Sequence, residues 1–109
     1  MSLTMNQSSP PRDRVAFDAW LKDFAKTRKS SAETAQVLEE AANVAADIGF
    51  HEGRARVLLE LGKVYRDLTD PMKSIPVLKS VLAISSSLND QHGRAEALVE
   101  MGRTYNLQA

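Results

Sequence analysis

The chain says nearly the same thing twice. The stretch "GRARVLLELGKVY" at residues 53–65 returns as "GRAEALVEMGRTY" at residues 93–105, with seven of the thirteen aligned positions identical. Leu59/Val99, Leu61/Met101 and Lys63/Arg103 are close substitutions. The same shift lays "AQVLEEAANVAADIG" (35–49) on "IPVLKSVLAISSSLN" (75–89), pairing Val37 with Val77, Leu38 with Leu78, Val44 with Ile84 and Ile48 with Leu88. A period of about 40 residues marks stacked supersecondary units, each unable to bury its apolar face alone.

Inside each unit the apolar residues recur at helical spacing. Ala55, Leu58, Leu61, Gly62, Tyr65 and Leu68 form one series, and Val77, Leu78, Val81, Ile84 and Leu88 another. No segment alternates as a strand would, so the expected class is all-α, with five helices at about 12–28, 31–48, 52–68, 71–88 and 91–107. Local chemistry supports these bounds. Ser30 and Glu33 have capping-box spacing at the start of the second helix. Gly49 is suited to the left-handed residue that closes it, with Phe50 making the accompanying contact. Asp70 and Pro71 read as N-cap and first helical residue. Pro76 either kinks a helix that starts at Pro71, the reading favoured here, or sits harmlessly in the first turn of one that starts at Ser74. Asn89 or Asp90 caps the fifth helix.

Composition narrows the classes of function. The 109 residues contain no cysteine, which removes disulfides, thiolate metal sites and cysteine nucleophiles. Fourteen basic and fourteen acidic residues cancel, leaving no global field to draw the chain to nucleic acid or an anionic membrane. No apolar run nears the roughly 20 residues of a membrane span. The expectation is a cytoplasmic protein without cofactor, in which residues 1–10 are a disordered leader added in cloning and 11–109 a single helical repeat domain, a fragment of a longer protein.

An antiparallel helix pair with a small residue midway along its first helix, an aromatic three residues later and a connector ending in Asp resembles a tetratricopeptide repeat in a 40-residue form. The residues that carry the resemblance are Leu58, Gly62, Tyr65, Asp70 and Leu78 in one copy and Leu98, Gly102 and Tyr105 in the next, within residues 31–109. It implies a right-handed α-solenoid that binds protein. The first helix departs from the pattern: the 40-residue shift sets Lys22 against Gly62. Its apolar face, Val15, Phe17, Trp20, Leu21 and Phe24, reads as a diverged first helix or a cap over the stack, with core packing favoured over an aromatic ligand pocket.

The resemblance also implies a concave groove lined by the first helices of successive repeats. By position it comprises Arg56, Leu59, Lys63 and Arg66 on the third helix and Glu96, Val99, Arg103 and Asn106 on the fifth. Each set falls in one stripe of a helix. The stripe is mildly basic with two apolar contacts, which suits a peptide or helix bearing carboxylates; ordinary solvated charges give the same pattern. Lys63, Arg103 and Asn106 alone hint at a clamp for a terminal carboxylate. His51 and His92, near Glu52 and Asp90, follow no metal-ligand spacing, and neither a phosphate loop nor a nucleophile with its base is present, so no enzymatic activity is expected. The fifth helix lacks a partner after Ala109, which would leave Leu98, Met101 and Tyr105 uncovered unless the array continues or two copies pair there. Two functions follow: a peptide-binding adaptor, which the resemblance places in a bacterial signalling or regulatory protein, or a homodimerising module that pairs copies through that end.

Overall fold

A computed structural model describes residues 9–108, without the side chain of Gln108; residues 1–8 of the expected leader and Ala109 lie outside the described residues. The described chain is all-helical: α1 (Arg14–Thr27), α2 (Ala32–Asp47), α3 (His51–Asp67), α4 (Pro71–Ser87) and α5 (Gln91–Gln108). These bounds lie within two residues of the expected ones at each end. The connectors at 48–50, 68–70 and 88–90 are so short that each helix must turn back along its predecessor. Helices α2 to α5 pack in chain order, while α3 also touches α1 and α5, so the odd-numbered helices lie side by side.

Three connectors use one device. Gly49, Thr69 and Asn89 each adopt positive φ, at 70°, 56° and 56°. The residue after each returns its N–H to a carbonyl of the last helical turn: Phe50 to Ala45 at 2.8 Å, Asp70 to Tyr65 at 2.9 Å and Asp90 to Ser85 at 2.8 Å. This double-back satisfies carbonyls that the helix end leaves bare. Asp70 and Asp90 then cap the next helix, accepting from Lys73 N–H at 3.3 Å and Gly93 N–H at 2.9 Å. The division of labour at 89 and 90 is thus settled, with Asn89 in the turn and Asp90 as cap. Helix α2 is capped by Ser31, whose hydroxyl accepts from Thr34 N–H at 3.1 Å, one residue later than the capping box predicted. Ser30 is engaged elsewhere, donating to Asp67 at 2.7 Å and so tying the start of α2 to the end of α3. Pro76 lies inside α4, which begins at Pro71 and runs through it.

Thr69 is the odd member of the turn series, because a β-branched residue is strained in the left-handed region. Thr69→Gly will stabilise the protein by about 1 kcal/mol, the usual scale of that strain, read as a rise in the denaturant midpoint. A lower midpoint would show that the Thr69 hydroxyl, which donates to Leu68 O at 2.6 Å, outweighs the strain.

The core runs through all five helices. Phe17, Leu38, Val57, Val64, Leu78 and Val81 are its fully buried large apolar side chains. Leu78 of α4 packs directly on Gly62 of α3: a Cβ built there would stand 2.5 Å from Leu78 Cδ2 and 2.8 Å from Cγ. The Ser74 hydroxyl donates to Gly62 O at 2.9 Å and lies 3.2 Å from the Thr104 hydroxyl, so α3, α4 and α5 meet at this point. A side chain at residue 62 would displace buried Leu78 from its place, which accounts for a glycine at a mid-helix position that costs about 1 kcal/mol relative to alanine. Tyr65, one turn on, is buried and donates its hydroxyl to Glu39 of α2. Burial first, then the carboxylate, push its pKa up to about 12.

The aromatic residues of α1 belong to this core. Phe17 meets Phe50 edge-on at 5.8 Å between centroids, and Trp20 stacks on Phe24 at 5.1 Å. The Arg14 guanidinium lies over the Phe50 ring and donates to Gly49 O at 2.8 Å, closing the end of α2 against α1.

Candidate functional site

Because the odd helices sit side by side, they enclose an open groove of about 370 Å³. Its apolar floor is Leu21 and Ala25 of α1 with Leu59 of α3, and its charged lining is Asp18, Lys22, Arg56, Glu60, Lys63 and Glu96, with His92 at the α5 edge. A smaller hollow of about 190 Å³ adjoins it, sharing Arg56, Leu59, His92 and Glu96. Buried Ser85 stands at its side, and its hydroxyl has no hydrogen-bond partner among the described residues.

The structure brings together half of the eight groove residues expected from the sequence. Arg56, Leu59, Lys63 and Glu96 line the groove. Arg66 instead reaches Glu100, a buried carboxylate of α5 that also accepts from Arg103 at 2.8 Å. Arg66 thereby ties α3 to α5 while Arg103 pairs with Glu100 within α5, and a buried carboxylate without these partners would carry a large desolvation cost. Val99 and Asn106 are exposed and are not among the lining residues.

The electrostatics differ from the basic stripe that the sequence implied. Asp18 of α1 holds both Arg56 of α3 and Lys22, the latter at 3.3 Å. Glu60 holds Arg28 at 3.0 Å and Lys63 at 3.4 Å. His92 lies 3.3 Å from Glu96. Three cations, Lys22, Arg56 and Lys63, therefore face three carboxylates, Asp18, Glu60 and Glu96, and the lining is balanced. At the α3 end, burial tends to raise the Asp67 pKa, but the Ser30 hydrogen bond and the guanidinium groups of Arg66 and Arg28 outweigh it and hold the carboxyl below its ordinary range.

Sequence reasoning missed the α1 half of the groove. The off-register first helix gave no equivalent positions, so Asp18, Leu21, Lys22 and Ala25 could not be carried over from the repeat. Glu60 was visible as the residue three before Lys63, a spacing that brings two side chains together on one helix face. Of the two histidines, His92 joins the groove edge and His51 is exposed. Among the described residues no group of three or more His, Asp or Glu is placed to hold a metal ion, and no helix is long and apolar enough to cross a membrane.

The three residues expected at an uncovered end divide as well. Each has a repeat mate in α3, and the comparison is direct: Leu58 is 7% exposed but Leu98 54%, and Tyr65 is 6% exposed but Tyr105 47%. Val99 follows the same trend at 52%, against 8% for Leu59. Met101 is partly buried against the core. No protein-family model matches the chain, and neither a curated protein nor a solved structure matches it.

Proposed function

We propose that the chain is a tetratricopeptide-like helical-repeat module that binds a peptide or helical segment of a partner protein in the groove between α1, α3 and α5. The observation that carries this reading is the apolar floor of Leu21, Ala25 and Leu59 inside a balanced ring of charges. Such a floor accepts an apolar anchor side chain, and ring charges of both signs read the register of a segment that itself carries both signs. An acidic segment, the partner implied by the sequence stripe alone, would have to displace Asp18 and Glu60 from the cations that they already hold.

Ala25 gives a clean test, because it is partly exposed on α1 and lines the groove. Ala25→Arg fills the groove with a residue that favours helix almost as well as alanine. Peptides selected from a random displayed library against the wild-type chain will carry an apolar residue flanked by both charges, and will bind the variant about tenfold more weakly while its thermal midpoint stays unchanged. Failure to enrich any peptide, or equal binding to the variant, would sink the proposal.

A further inference from the structure

The two repeat glycines sit in opposite circumstances. Gly62 is covered by Leu78, whereas a Cβ built at Gly102 would meet nothing within 4 Å. Gly102 is exposed and lies in mid-helix, where glycine is unfavourable and no neighbour among the described residues requires it. Leu98 and Tyr105 flank it on one face of α5, and both are about half exposed. Gly102 and Tyr105 correspond to Gly62 and Tyr65, with which α3 receives Leu78 and Lys73 of α4, and Leu98 corresponds to buried Leu58. The open α5 face therefore continues the α3–α4 interface by one repeat.

We infer that this α5 face is a docking site for a helix of a partner protein with the chemistry of α4, presenting lysine and serine followed four residues after the serine by leucine. Each element is taken from what α4 does on α3. Leu78 fills the space over Gly62, and the Ser74 hydroxyl donates to Gly62 O at 2.9 Å. The Lys73 ammonium lies over the Tyr65 ring, 5.7 Å from its centroid. On α5 the partner's leucine would cover Gly102, its serine hydroxyl would reach Gly102 O, and its lysine would stand over the Tyr105 ring. The apolar part of the interface is supplied by Leu98, with the partner helix lying along α5 as α4 lies along α3.

The probe is a fluorescein-labelled peptide of residues 70–88, titrated into the intact chain and followed by anisotropy. The wild type binds it saturably, and the same peptide with Leu78→Ala binds about tenfold more weakly. Gly102→Ala in the protein also weakens binding about tenfold, because the new methyl stands where the peptide's leucine must come. That substitution cannot act by unfolding the protein: the site is open, and alanine for glycine in an exposed helix raises the thermal midpoint by about 4 °C. No binding to the wild type, or binding indifferent to Gly102→Ala, overturns the inference. So does a mass that doubles with concentration and reverts in Gly102→Ala, since the face would then belong to a second copy of the chain. The groove variant Ala25→Arg leaves this face intact, so the two proposals fail separately.

Discussion

Leu78→Ala will destabilise the protein by about 2–5 kcal/mol, the range for emptying a buried leucine site that cannot collapse. Leu78 is fully buried, and the glycine beneath it has no side chain with which to fill the space. Against a typical total of about 5–15 kcal/mol, that is a large fraction of the folding free energy. The more searching experiment is a double-mutant cycle with Gly62. Gly62→Ala alone adds a methyl 2.5 Å from Leu78 Cδ2, and overpacking of this kind costs about 1–3 kcal/mol, more than the gain in helix propensity. In the Leu78→Ala background the same methyl enters vacated space, so Gly62→Ala becomes stabilising. A denaturant titration of the four proteins that finds the same sign in both backgrounds would show that the two residues do not oppose each other across this contact.

Phe17→Ala will cost about 3–5 kcal/mol and will fall unevenly on the fold. Phe17 is the fully buried anchor of α1, set edge-on against Phe50 and beside Trp20. Helix α1 docks mainly on α3, whereas α2 to α5 are joined by closer pairwise packing. The loss therefore lowers the free energy for opening α1 before it lowers that for the remaining helices. Trp20, the sole tryptophan, reports on α1 directly. In the variant its fluorescence transition will precede loss of the far-ultraviolet circular dichroism signal, where the wild type shows one transition. Coincident midpoints in Phe17→Ala would mean that α1 opens only with the whole fold. The groove would be lost with α1 in either case, because Asp18, Leu21, Lys22 and Ala25 form one of its walls.

Much of this architecture was legible from residue spacing. Leu38, Leu58, Leu61, Tyr65, Leu78 and Val81 stood at helical intervals and are all buried. Asp70, and Asn89 or Asp90, announced helix starts because a side-chain oxygen at that position can satisfy a free N–H of the first turn, and the structure chose Asp90. The cap of α2 was misplaced by one residue because Ser30 and Ser31 offer the same hydroxyl. The choice turned on Asp67, 37 positions away in the chain, which takes Ser30 for itself. The groove was legible only in part, for the same kind of reason. Spacing identifies which residues share a face of one helix, but it does not say which charges from other helices stand opposite them. Arg56 and Arg66 looked alike, yet Arg56 meets Asp18 of α1 on the groove wall and Arg66 meets buried Glu100 of α5.

The sequence by itself determined that the chain is helical, where its helices start and stop to within two residues, and that α5 restates α3, because propensity, capping and apolar period act within a few residues of one another. Only the tertiary structure decided what the restated residues do. Gly62 and Gly102, Leu58 and Leu98, and Tyr65 and Tyr105 are identical in type and in local conformation. The first of each pair is buried by the helices packed on α3, as Leu78 of α4 covers Gly62, and the second is exposed because no described helix covers it on α5. Burial is a property of the neighbour as much as of the residue, and neighbours are set by packing at long range in the chain. The same holds for Arg56 in the groove, a cation that α3 would offer to a ligand but that Asp18 of α1 holds.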